Sequence, residues 1–242
     1  MERTTDATMH SMIRNELLAQ IEVGRFRPGD QIPTEPELIA RYDVSRTTVR
    51  RALRDLQTMG VIRRHPGRGS FVNEPQLEQR LEKLTGFVED MNALGLDASA
   101  KVVTIEKVPA SKVVADNLRL NVDEYAIHIE RVRLANGQPI SFDDSYFPES
   151  LGSRIAQENL EVDPFYSILE ERYELALSDA DYVLQASVAD ARVADLLATE
   201  PGAPILLIER TSFAAPDSRP IIFEYLMYRG DRMKYRLKLN RQ

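Results

Sequence analysis

With 242 residues, 43% of them apolar and none of them cysteine, the chain has room for a small domain plus a larger one. It has no disulfide framework, thiolate nucleophile or Cys-ligated zinc. No stretch approaches the about 20 apolar residues of a membrane span, and the N-terminal Met-Glu-Arg-Thr-Thr-Asp lacks the basic start and apolar core of a signal peptide. A cytoplasmic chain without membrane contact is the expectation.

The formal charge of −7 is unevenly spread. Residues 1–75 carry 12 Arg and no Lys against 10 acids, whereas the remainder carries 19 basic and 28 acidic groups. A basic module on an acidic body is the electrostatic footprint of a nucleic-acid-binding head, because DNA repels the body and leaves the head as the docking surface.

In chain order, Met9, Ile13, Leu17 and Ile21 mark an amphipathic first helix, ended by Gly24 and Pro28-Gly29. Thr34 precedes Glu35-Pro36-Glu37, a capping pattern with a proline harmless in a first turn, and predicts a second helix to about Tyr42 with Leu38 and Ile39 inward. Ser45 caps the next helix and Gly60 follows its end. Val49, Ala52, Leu53, Leu56 and Met59 form one apolar stripe there, opposite Thr47, Arg50, Arg51 and Arg54, with Arg46 on the flank. From Arg41 to Arg68, eight arginines face only Asp43 and Asp55, a local balance of +6. Such a helix offers forked guanidinium donors to guanine edges or phosphates.

Val61–Arg64 and Ser70–Val72 alternate like two short strands around His65-Pro66-Gly67-Arg68-Gly69, whose glycines let backbone and Arg68 approach a phosphate or minor groove. Three helices and this wing predict a winged helix-turn-helix over 1–73. Asn73-Glu74-Pro75-Gln76 reads as a linker. Leu77, Leu81, Leu84, Val88 and Met91 then recur at helical spacing to near Gly95, so 74–95 is expected to be linker and connecting helix.

Residues 96–242 read as a mixed α and β domain with an antiparallel sheet. Strands are predicted at 101–108, 125–134, 140–147, 181–188, 204–213 and 220–227, with helices at 111–118, 164–173 and 190–198. Hairpins turn around Asn136-Gly137 and Pro216-Asp217. The body also repeats itself. Val114-Ala115-Asp116 recurs as Val193-Ala194-Asp195 and Glu130-Arg131 as Glu209-Arg210; after a longer turn, Pro139–Asp143 recurs as Pro220–Glu224. Two copies suit one sheet with a pseudo-twofold axis better than a solenoid.

A pocket between the copies is the natural ligand site. Arg131 and Arg133 continue the apolar face of Ile127 and Ile129, and an arginine held there requires an anionic partner. That partner is either a ligand or an internal carboxylate, the latter reading pairing Arg131 or Arg210 with Glu130, Asp143 or Glu224. An enzyme reading rests on Asp143 and Glu224 as an acid–base pair. Against it, no nucleophile elbow, P-loop or dinucleotide fingerprint occurs, and His10, His65 and His128 stand apart from other metal-type ligands. No cofactor or metal is expected. One head offers little surface for tight specific binding, so a homodimer reading an inverted-repeat operator is expected.

The head resembles the DNA-binding domain of the GntR family of bacterial transcription regulators. The matching residues are Pro28-Gly29, Pro33-Thr34-Glu35, Leu38, Val44-Ser45-Arg46, Thr48-Val49-Arg50, Ala52-Leu53, Leu56, Gly60-Val61 and Gly67–Val72. Pro36 departs from it, standing where many members place a DNA-contacting arginine. The resemblance implies double-stranded DNA as partner, with contacts from Arg46, Thr47, Thr48 and Arg50 in the groove and Gly67 with Arg68 at the wing; Thr34 and Arg51 complete the expected set.

The body resembles the UTRA effector domain of the family's HutC branch, on Leu84–Met91, Glu130–Arg133, Pro139-Ile140, Tyr146, Pro148, Phe165-Tyr166, Leu169-Glu170 and Tyr228–Arg232. That implies a fold similar to chorismate lyase without its activity, and a small, anionic effector, a sugar phosphate or another small acid. Gly86, Phe87 and Val88 replace the hydroxyl residues common in sugar-phosphate-binding members. Arg131, Arg133, Asp143 and Glu224 fall where such domains touch ligand, and Phe87, Tyr166 and Tyr228 complete the expected effector set. The whole reads as a ligand-responsive regulator, a repressor released by its effector.

Overall fold

The computed structural model describes residues 2–239 except Pro66, Pro75, Glu82 and Val122, with side chains from Met9 onward. The prolines of the expected wing turn and linker therefore lie outside the described residues. The chain folds as two units, 1–76 and 77–242.

The first unit runs α1 (Glu2–Glu22), α2 (Glu35–Tyr42), α3 (Arg46–Thr58), β1 (Ile62–His65) and β2 (Gly69–Val72). Glu37 accepts from the Thr34 N–H and hydroxyl, both at 2.7 Å, fixing the start of α2, and Asp43 ends it in a left-handed conformation. Ser45 Oγ accepts from the Thr48 N–H at 3.2 Å to open α3. Gly60, at φ +71°, turns the chain so that the Val61 N–H bonds back to Leu56 O. The core gathers Ile13, Leu17, Ile32, Leu38, Val49, Ala52, Leu56, Ile62 and Val72. Met59 does not join it: helix α3 closes at Thr58, and Met59 is 47% exposed. Strands β1 and β2 pair antiparallel from Ile62↔Val72 to His65↔Gly69, as the wing pattern requires.

The second unit runs β3 (Leu77–Arg80), α4 (Phe87–Ala93), β4 (Ala98–Pro109), α5 (Lys112–Leu118), β5 (Tyr125–Ala135), β6 (Gln138–Pro148), α6 (Glu149–Ile155), α7 (Phe165–Ser167) with a π-helical turn Ile168–Arg172, β7 (Leu177–Val188), α8 (Ala191–Leu196), β8 (Pro204–Ala214), β9 (Arg219–Arg229) and β10 (Met233–Arg236). Six strands form one antiparallel sheet in the order β4-β5-β6-β9-β8-β7. Each repeat supplies three strands, and the copies meet where β6 pairs with β9.

The connecting helix expected across 77–91 is not there. Residues 77–80 form a strand parallel to β10, and among the described residues of the segment only 87–93 are helical. The backbone explains this: Leu77 N–H bonds Arg232 O (2.7 Å) and Leu81 N–H bonds Arg236 O (3.1 Å), while Glu78 holds Arg236 (2.6 Å) and Lys234 (3.3 Å). A distant partner strand has overridden a local helical spacing.

Helices cover both faces of the sheet. On one, α5 packs with Ala126 and Phe223, and α8 packs with Val132 and Phe142. On the other, α6 and the α7 segment enclose Ile127, Ile129, Phe147, Phe165, Ile168 and Leu169, while Phe87 and Met91 of α4 meet Ile208, Leu226 and Tyr228.

Candidate nucleic-acid interface and effector pocket

In the head, Ser45 and the buried stripe fix the orientation of α3, and Arg46, Thr47, Arg50, Arg51 and Arg54 are all left exposed. Arg46, Arg51, Arg54, Arg63 and Arg68 have no ion-pair partner among the described residues. Arg50 and Arg64 share Glu35, at 3.1 and 2.7 Å, which draws α2, α3 and the wing together. A cleft lined by Arg50, Arg54, Arg64, Gln57 and Ser70 opens between α3 and the wing. At the wing, Gly67 has φ +73° and Gln31 Nε2 donates to Arg68 O at 3.1 Å. Thr34 is half-buried and engaged with Glu37.

Thr48 is a correction. Its side chain is 2% exposed and its hydroxyl lies 2.7 Å from Ser45 Oγ, so it belongs to the cap and not to the surface. On a helix that turns about 100° per residue, Thr47 faces out and Thr48 faces in.

In the body, Phe87, Arg131, Arg133, Asp143, Tyr166 and Glu224 line one small pocket, a cavity of about 20 Å³, together with Gly86, Pro164, Phe165 and Arg210. Antiparallel register does this: Arg131 pairs with Asp143 and Arg210 with Glu224, so all four side chains rise from the same sheet face. Tyr228 shares that face but not the pocket lining; it is buried beside Tyr235, with ring centroids 5.7 Å apart.

Three guanidinium groups thus converge with two carboxylates. Glu224 Oε2 accepts from Arg210 Nε (2.9 Å) and Nη2 (2.5 Å), and Ser145 Oγ donates to Oε1 at 3.0 Å. Asp143 accepts from Ser141 Oγ at 2.8 Å and lies 3.5 Å from Arg133 Nε. Arg131 is 1% exposed, stacked 3.4 Å from the Phe165 ring centre, and donates to Leu160 O at 3.3 Å. The Nε atoms of Arg131 and Arg133 are buried without a hydrogen-bond partner. Burial first, and the charge of Arg133 next, hold the Arg131 guanidinium well below its ordinary value. Burial likewise works against the charge of Arg210, but Glu224 together with Tyr166, Tyr182 and Tyr228 outweighs it and the value rises. Burial lifts Asp143 against the pull of Arg133 and Arg131.

Arg210, expected only as an internal partner of a carboxylate, is that partner and also lines the pocket. Pro164 and Phe165 carried no chemical signal of their own. Glu130, weighed as a partner for Arg131 or Arg210, points to the opposite face and pairs with Arg192 at 2.6 Å. The histidine expectation also needs correcting: the sheet brings His128, Glu130 and Asp144 together, with ligand-type atoms within 4.8 Å of one another. These groups already engage one another and their neighbours, since His128 Nε2 lies 2.6 Å from Asp144 and Nδ1 3.2 Å from Glu106. No described helix is long and apolar enough to cross a membrane.

Residues 10–72 match the model for bacterial regulatory proteins of the gntR family, and residues 93–234 match that for the UTRA domain. The chain is 31% identical over 229 residues to the HTH-type transcriptional repressor NagR of Bacillus subtilis, covering 94% of this chain and 93% of the relative. It is 26% identical to the histidine utilization repressor of Pseudomonas putida, covering 93% and 90%. PhnF of Mycobacterium smegmatis, a solved structure, superposes with a TM-score of 0.67 at 28% identity, covering 95% of this chain and 99% of that one. The chain therefore belongs to the GntR family of bacterial regulatory proteins, in the HutC branch that carries a UTRA domain, and is a ligand-responsive DNA-binding transcription regulator.

Proposed function

We propose that the protein is a cytoplasmic, homodimeric repressor that leaves an inverted-repeat operator when a small anionic metabolite enters the Arg131–Arg133 pocket. The observation that carries the ligand half is the surplus of one buried guanidinium, with two Nε atoms lacking a hydrogen-bond partner. Buried N–H groups of a charged side chain are costly unless paired, and a carboxylate or phosphate group pairs them. The DNA half is supported by the exposed arginine face of α3 and by the wing, from which Arg46, Thr47, Arg50, Arg51, Gly67 and Arg68 reach the duplex. Two such heads related by a twofold axis read two half-sites. Reciprocal linkage then couples them: an effector that prefers the DNA-incompetent dimer weakens operator binding by the same factor that operator weakens effector binding.

An enzymatic role for Asp143 and Glu224 has less support. Glu224 is held by Arg210 and Ser145, which leaves it a poor proton carrier.

The test is a melting-point screen of the full chain against small phosphates and carboxylates, followed by operator titration with each hit. A hit that raises the melting point and lowers operator affinity is the expected result. Hits that stabilise the protein and leave operator affinity unchanged overturn the reading.

A further inference from the structure

The face of the sheet turned away from the pocket carries a second cluster of charged side chains. His128 and Glu130 lie two residues apart on β5, and Asp144 stands directly opposite Glu130 on β6. Alternation therefore puts all three on the side that Arg131 and Asp143 do not use. His128 Nε2 lies 2.6 Å from Asp144 Oδ1 and 3.9 Å from Glu130 Oε1. A tetrahedral divalent cation with bonds of about 2.0–2.2 Å holds its ligand atoms about 3.4 Å apart, a spacing that these two distances bracket.

Each of these atoms is aimed by groups behind it. Glu106 Oε1 lies 3.2 Å from His128 Nδ1, the carboxylate–imidazole arrangement that turns the other ring nitrogen toward a metal. Tyr146 stacks on the imidazole, with ring centroids 4.6 Å apart and planes 8° from parallel, and so fixes its plane. Arg192 donates to Glu130 Oε2 at 2.6 Å, whereas Oε1, on a side chain only 9% exposed, accepts no hydrogen bond from a described residue and faces Nε2. Charge points the same way. Glu106, Glu130 and Asp144 bring three carboxylates to one arginine and one imidazole. With the imidazole neutral, two of the three are uncompensated, and buried charge persists where it is paired or metal-bound.

We propose that His128 Nε2, Glu130 Oε1 and Asp144 Oδ1 form a divalent-cation site of zinc type, with a fourth position left to water on the partly exposed side of Asp144. One imidazole and two carboxylates are a donor set that zinc accepts without thiolate. The site does not depend on the effector reading. Its cation ties β5 to β6 on the opposite face from the pocket, beside the Arg131–Asp143 pair next along the same two strands.

Titration calorimetry of the chelator-treated full chain with zinc chloride tests this, with the melting point as a second readout. The chain has no cysteine, so His10 and His65 are the only other imidazole or thiolate competitors. The wild type is expected to bind one equivalent and to melt higher with zinc than without. His128→Gln and Asp144→Asn are each expected to lower zinc affinity by about tenfold or more, and His65→Gln to bind as the wild type does. A wild-type chain that takes no zinc overturns the assignment. So does affinity retained in both His128→Gln and Asp144→Asn, or lost in His65→Gln. Should the β-strand variants fail to fold, X-ray absorption at the zinc edge of the loaded wild type decides. One imidazole in an otherwise oxygen shell is the expected spectrum, and two imidazoles or none overturns the site.

Discussion

Asp144 and Tyr225 face each other where β6 meets β9, and they are also equivalent residues of the two copies, 81 positions apart. The pseudo-twofold axis therefore passes between them. Residues near the axis have counterparts on the far side, so both halves of the one pocket come from a single chain. Duplication gives the sheet its symmetry, and substitution within one copy (Arg133 against Ser212, Asp143 against Glu224) gives the pocket its polarity.

Arg46→Ala and Arg50→Ala are expected to weaken operator binding by about 1–3 kcal/mol each if they make bidentate contacts. Arg50 should fall at the lower end, because Glu35 already claims its Nε at 3.1 Å and DNA must displace that carboxylate. Titration at fixed salt, with the melting point as control, reads the effect. Wild-type affinity in both variants removes α3 from the interface.

Much of this was legible in the residues. The caps at Thr34 and Ser45, the glycine at 60 and the apolar period of α3 are local signals, and local chemistry decided them. The six strands of the sheet were legible through alternation and through the repeat itself. What failed was non-local. The leucine spacing from Leu77 to Met91 suits a helix until β10 supplies a parallel partner to residues 77–80. Helix α6 is short and carries Gly152, a poor helix former, where it packs against Ile127 and Phe147 of the sheet, so its local signal is weak. In the pocket, charge and face parity located Arg131, Arg133, Asp143 and Glu224, while nothing in the sequence marked Pro164 or Phe165 as walls.

Gly152→Ala tests that packing. A β-carbon there would sit 2.5 Å from Ile127 Cβ and 2.9 Å from Phe147 Cβ, both from the sheet beneath. Helix α6 must shift away, which costs about 1–3 kcal/mol in a packed interior. A lowered melting point is expected, and an unchanged one shows that α6 does not lie on the sheet as described.

His128 makes stability depend on pH. Burial pulls its pKa down, but Asp144, Glu106 and Glu130 together outweigh that and raise it above the ordinary 6.5. A raised folded-state value means stabilisation that is complete below about 6.5 and lost as pH rises through the folded value. Urea midpoints at about pH 6 and about pH 9 should therefore differ more in the wild type than in His128→Gln. Equal pH dependence in the two proteins indicates that the imidazole is not charged in the fold.

Arg133→Ala separates sensing from DNA binding. If Arg133 serves the ligand, the variant keeps its fold and its operator and no longer responds to effector. The lost charge-assisted contact costs roughly 1.5–3 kcal/mol, at least tenfold in effector affinity. If Arg133 is instead a structural partner of Asp143, 3.5 Å from its Nε, removing it leaves a buried carboxylate uncompensated. Melting point and operator affinity then fall together. The geometry favours the first outcome, because Arg133 Nε makes no hydrogen bond and Asp143 already accepts from Ser141. Melting point, operator affinity and effector response measured on this one variant decide the matter, and a folded variant with wild-type response rejects both roles.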